Sequence, residues 1–145
     1  MKQIVLCFLA IFAGALIGSV ANILIISFST TIIPLPKGAD NSSIKSLEQT
    51  IHLFQFKHFI MPFLAHAVGS LIGGTIAAWI APRNKLLVAL TIGSFFLIGG
   101  TMMVFQLPSP IWFNIIDLTL AYLPMSWIGY RLSLIHISEP TRQLC

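Results

Sequence analysis

Three polar side chains interrupt otherwise apolar stretches of this chain: Asn22, His66 and Asp117. Imidazole ordinarily exchanges its proton near neutral pH, and ionisable groups inside a membrane often serve as relays. A carboxylate at the centre of a membrane helix costs about 2.5–3.5 kcal/mol on insertion scales, so Asp117 requires a partner, water or protonation. Two uses of the trio stand side by side. His66 and Asp117 can hydrogen-bond between helices, with Asn22 as a third partner, and so fix which helices are neighbours. Alternatively, the pair is a proton or ion site. Other chemistry is less well supplied. His58 and His66 are about 80° apart around a helix, His52 falls in a loop, and Cys7 and Cys145 stand far from both, so no cluster has metal-ligand spacing. Ser70 lies one turn from His66, which with Asp117 suggests a nucleophile, but a row of small residues already accounts for it. Neither an enzyme nor a cofactor is expected.

The elements that must hold these groups follow from composition. Of 145 residues, 57% are hydrophobic and 8% charged, against about 45–50% and about 25% in soluble proteins. Four apolar stretches of about 20 residues are each long enough to cross a bilayer, over residues 4–28, 58–81, 86–105 and 111–130. The first is too long an apolar run for a cleaved signal and reads as a span. Pro62 falls in the first turn of the second span, Pro82-Arg83-Asn84-Lys85 turns the chain into the third, and Ser109-Pro110 reads as the cap and first position of the fourth. The net charge of +4 comes from eight dispersed Lys and Arg residues, which excludes a nucleic-acid-binding patch. Lys2, Arg83, Lys85 and Arg131 fall on one side, and the positive-inside rule places that side in the cytoplasm. Trp79 and Trp127 near the inner ends and Trp112 near the outer one fit interfacial belts. The outer loop, residues 29–57, opens on Pro34-Leu35-Pro36-Lys37-Gly38 and then places Ile44, Leu47, Ile51 and Phe54 at helical spacing. This predicts a short amphipathic helix, lying on the outer surface or across the mouth of the bundle as packing, lid or docking element. The expected fold is thus all-α: an integral membrane four-helix bundle, N-in and C-in.

Helices in lipid are held together by close packing of small residues. The second span repeats Ala65, Gly69, Gly73, Ala77 and Ala81 every four residues, flanked by Ser70, Gly74 and Ala78. The first offers Ala10, Gly14 and Gly18, and the third a looser Ala89, Gly93 and Gly100. Packing within one chain is the expected use, with homodimerisation its rival. On the fourth span Asn114, Asp117, Ala121 and Pro124 form one stripe facing the bundle. At about 1.5 Å per residue, His66, Asp117 and Asn22 fall roughly 12, 10 and 9 Å from the outer boundary, a single layer. Leu71-Ile72-Gly73-Gly74-Thr75 recurs as Leu97-Ile98-Gly99-Gly100-Thr101, but the flanks align only after a two-residue shift, so no internal repeat is inferred.

Two resemblances complete the reading. Lys57-His58-Phe59, Phe63-Leu64-Ala65-His66-Ala67-Val68-Gly69, Pro108-Ser109-Pro110-Ile111-Trp112-Phe113 and Ala121-Tyr122-Leu123-Pro124-Met125-Ser126-Trp127 resemble an uncharacterised family of small four-helix bacterial inner-membrane proteins. This covers residues 1–131 as a single transmembrane domain. It implies a multi-pass inner-membrane location and brings no activity. From about Ser133 onward, Leu134-Ile135-His136-Ile137-Ser138-Glu139-Pro140-Thr141-Arg142 resembles a translated sequencing adapter, so residues 132–145 are set aside as a non-native tail. The expected function is that of a non-enzymatic structural or accessory membrane component, the alternative being a small proton-linked permease or channel using His66 and Asp117. The expected partners are lipid and either further copies of the chain or a larger membrane complex.

Overall fold

The computed structural model describes residues 1–144, with side chains through Ile135. Its helices are α1 (Lys2–Ile32), α2 (Ile44–Thr50), α3 (Ile60–Ile80), α4 (Lys85–Gln106), α5 (Ile111–Leu120) and α6 (Leu123–Leu144), with 3-10 turns at Ile51–Leu53 and Phe56–Phe59. Four segments are long and apolar enough to cross a membrane: Lys2–Ile32, Phe56–Ile80, Lys85–Gln106 and Ile111–Ile135.

Proline sets where the long helices stop. The residue before a proline is driven out of the helical region by the pyrrolidine ring. Accordingly α1, α3 and α4 end at Ile33, Ala81 and Leu107, all extended, immediately before Pro34, Pro82 and Pro108. Between α3 and α4 the chain reverses through Asn84, which takes a left-handed φ of 50°. The Lys85 ammonium then turns back onto the carbonyls of Ala78 and Ala81, at 2.8 and 2.6 Å, capping α3 with positive charge.

Several boundaries differ from those expected. Helix α1 runs on past Phe28 to Ile32. Pro110, not Ser109, is the cap of α5, because the Ser109 hydroxyl is drawn to Asn114 Oδ1 at 2.6 Å. In the loop the helix is shorter than the Ile44–Phe54 spacing suggested. Ser43 Oγ accepts the Ser46 N–H at its start, but after Thr50 the backbone tightens into a 3-10 turn and Phe54 is extended. Ahead of it the Ser42 N–H donates to Asp40 Oδ1 at 2.8 Å, which holds that carboxyl below the usual carboxylate range. The fourth span is not one continuous helix. It breaks at Ala121 and Tyr122, because Pro124 lacks the N–H that the Leu120 carbonyl would accept and its ring crowds that carbonyl. Helix α6 continues through Leu144, beyond the expected end near residue 130. The adapter-like segment lies largely outside the described side chains, and Cys145 outside the described residues.

Helix α3 is the centre of the bundle, packed against α1, α4 and α6. It meets α1 antiparallel through backbone rather than side chains. A Cβ added at Gly14 would lie 2.5 Å from the Gly73 carbonyl oxygen and 2.6 Å from Ala77 Cβ, and one at Gly18 would lie 2.6 Å from the Gly69 oxygen. Only residues without a Cβ allow this approach. The buried residues of α1 are Ala10, Gly14 and Gly18, one per turn, while a stripe of Phe8, Phe12, Leu16 and Val20, with Leu9 and Ile17 beside it, stands exposed. Such a helix is dressed for lipid. Against α6, α3 runs parallel, and Gly74 lets the Ser126 backbone approach in the same manner.

Candidate functional site

His66 sits in the second turn of α3 and Asp117 in the last turn of α5. The imidazole Nδ1 lies 2.8 Å from Asp117 Oδ1 and 3.0 Å from Oδ2, so its N–H is shared between both carboxylate oxygens. The Tyr122 hydroxyl donates to Asp117 Oδ2 at 3.0 Å, and its ring stacks on His66 with centroids 5.5 Å apart. Asp117 is buried, whereas the His66 side chain remains 25% exposed. With Nδ1 committed to the carboxylate, Nε2 is the ring position left to accept or release a proton.

The break in the fourth span brings Tyr122 to this site. Five residues along an unbroken helix would place it about 140° around from Asp117. The chain leaves regular helix at residues 121–122, and from there the Tyr122 hydroxyl reaches the carboxylate. Helix α4 makes the room: a Cβ at Gly100 would collide with the Tyr122 hydroxyl, and one at Gly93 with Ser126 Oγ.

Two cavities meet at His66. One, of about 310 Å³, is lined by Asn22, His66, Ser70, Phe96, Met103 and Tyr122 among others. The second, of about 380 Å³, also touches Asn22, His66 and Met103, takes in Asp117, and reaches the loop residues Leu47, Ile51 and Phe54. The pair therefore stands where a half-open cleft among α1, α3 and α4 meets a second cavity that reaches the loop.

Asn22 is not a third partner of the pair. It packs over Gly69 on the α1 side, and its Oδ1 is buried without a hydrogen-bond partner among the described residues. Equal depth did not bring contact, because the close α1–α3 seam sets where Asn22 faces and the cavity lies alongside. Ser70 Oγ is likewise buried and unpartnered, so no hydrogen bond joins it to His66. The remaining seam residues named from sequence, Ala65, Gly69, Gly73 and Ala77, are all buried.

His58, eight residues before His66, holds the loop. Its Nδ1 accepts the Gln55 N–H at 2.8 Å, which leaves Nε2 to donate to the Pro34 carbonyl at 3.2 Å. An aromatic group of Phe56, Phe59, Trp112 and Phe113 closes the bundle beside it, Phe56 stacking on Trp112 at 5.2 Å. Among the described residues no three His, Cys, Asp or Glu side chains converge.

Comparison of the chain with protein-family models, curated proteins and solved structures gives no match. The chemistry of this polar layer is therefore the guide to function.

Proposed function

We propose that the chain is a non-enzymatic multi-pass protein of the bacterial inner membrane, with both ends of the bundle in the cytoplasm, and that its polar layer exchanges protons as part of a small permease or channel. In this reading the loop bearing α2 lies outside, and the apolar residues of α2 rest across the outer mouth. The observation that carries the proposal is the buried Asp117 carboxylate, paired at 2.8 Å with a His66 ring that stays partly exposed where two cavities meet. An ionisable pair inside a membrane helix bundle, open on one side, suits a proton-exchange site.

The chemistry follows from the geometry. His66 Nε2 takes up and releases the proton while Nδ1 stays on the carboxylate 2.8 Å away. Tyr122 holds the second carboxylate oxygen, so Asp117 keeps its orientation while the imidazole changes charge. The test is proton uptake into vesicles reconstituted with the full chain and loaded with a pH-sensitive dye, driven by an imposed membrane potential. Uptake above that of empty vesicles, lost in Asp117→Asn while the thermal unfolding transition is retained, is the expected result. Uptake no greater than in empty vesicles contradicts it and favours the second reading, a structural or accessory component. That reading draws support from α1, which buries a single line of small residues and leaves most of its circumference to lipid, further copies of the chain or a larger membrane complex.

A further inference from the structure

The cavity of about 380 Å³ runs from the loop to the polar layer, and its walls are mostly apolar: Leu47, Ile51 and Phe54 from the loop, Met103 and Leu107 from α4, and Phe113 from α5. Most of its polar lining is already paired. Ser109 Oγ donates to Asn114 Oδ1 at 2.6 Å, and both Asp117 oxygens are taken by His66 and Tyr122. Two polar atoms are left over. With Nδ1 donating to Asp117, the neutral His66 ring offers Nε2 as an acceptor, and Asn22 offers Nδ2 as a donor. Neither atom has a partner among the described residues and neither is fully buried, in contrast to Asn22 Oδ1. One hydroxyl group satisfies both, because it donates one hydrogen bond while accepting another. Water can do this too, but it leaves the apolar walls wet. An amphiphile that displaces water covers the walls as well.

We propose that this cavity binds a neutral, lipid-soluble alcohol, its hydroxyl donating to His66 Nε2 and accepting from Asn22 Nδ2, and its chain extending toward Leu47 and Phe54 beneath the loop. The volume is more than twice the roughly 150 Å³ that accommodates benzene, which fits a chain of about eight to twelve carbons. An alkane would leave both polar atoms unpaired. A fatty acid carboxylate would set acceptor against acceptor at Nε2 and a second negative charge beside Asp117. The proposal goes beyond proton exchange and does not rest on it, since a neutral imidazole suffices.

The experiment is photolabelling of the full chain in lipid nanodiscs with a diazirine analogue of 1-octanol, the labelled residues being mapped by mass spectrometry. Saturable labelling at Met103, Leu107 or Phe113 is expected. At equal content in the bilayer, 1-octanol should compete about tenfold or more better than octane or octanoate, as two ordinary hydrogen bonds imply. Asn22→Ala keeps the Cβ that rests on Gly69 and should raise the half-saturating concentration about threefold to tenfold. Val104→Phe, which adds a ring to the cavity wall, should abolish labelling. Labelling that does not saturate, octane or octanoate competing as well as 1-octanol, or an unchanged half-saturation in Asn22→Ala with its thermal transition intact each overturns the proposal. Saturable, hydroxyl-dependent labelling without proton uptake supports the ligand site and removes proton transport. Proton uptake together with labelling that does not saturate removes this inference and leaves proton exchange standing.

Discussion

Helix α3 presents two unlike faces. Toward α1 it offers Gly69, Gly73 and Ala77, and the two backbones approach until a single added Cβ would lie under 3 Å from a facing carbonyl oxygen. Beside that seam His66 meets Asp117 and Tyr122 of the broken fourth span, where two cavities adjoin. One face is closed by shape, and the other is held apart around polar groups. A protein with little apolar driving force between its helices needs the first kind of contact to tolerate the second.

The largest effect should come from breaking the closed face. In Gly73→Leu the new side chain meets the Gly14 carbonyl oxygen, which a Cβ alone would approach to 2.8 Å, and Ile92 Cγ2, at 3.0 Å. Thermal unfolding in detergent should show a loss of about 3 kcal/mol or failure to fold, against less than about 1.5 kcal/mol for Ile72→Leu one position away. Similar tolerance of both substitutions would mean that the seam does not hold the bundle.

A smaller effect should follow at the polar face. His66→Leu and Asp117→Leu each leave a partner unsatisfied and should each cost about 1–3 kcal/mol. The double variant should lose less than their sum by about 1 kcal/mol or more, since it orphans neither group. Strict additivity in the unfolding free energies would show that the 2.8 Å contact carries no coupling.

The two faces were also unequally legible in the sequence. The seam is periodic: Gly14 and Gly18 on one helix and Gly69, Gly73 and Ala77 on the other repeat every four residues, and that spacing alone puts each set on one line. The four apolar segments are equally plain, because length and composition decide whether a helix can cross a bilayer. The meeting of His66 and Asp117 could be inferred from depth, since both had to find partners at one level. Tyr122 could not be placed by the same reasoning, because regular helical periodicity turns it away from Asp117. Pro124 was the available signal, and counting it as one more member of a polar stripe concealed its effect on the backbone. Asn22 shows the converse. Its depth was right for contact, but depth says nothing of azimuth, which the glycine seam fixes. The loop helix was shortened for a related reason, since Ile51 and Phe54 keep the apolar spacing after the backbone has left the α-helix.

The central claim, a polar layer reached by water from the loop side beside a sealed seam, is tested most directly by thiol labelling. Single cysteines would replace Asn41 in the loop, Met103 on both cavities, Ala77 in the seam or Asn84 at the opposite turn, in a chain lacking Cys7 and Cys145. Each variant in intact cells would be exposed to a membrane-impermeant methanethiosulfonate. Positions 41 and 103 should react from outside while 77 and 84 stay protected. Reaction at 84, or protection of 103 equal to that of 77, would contradict the account.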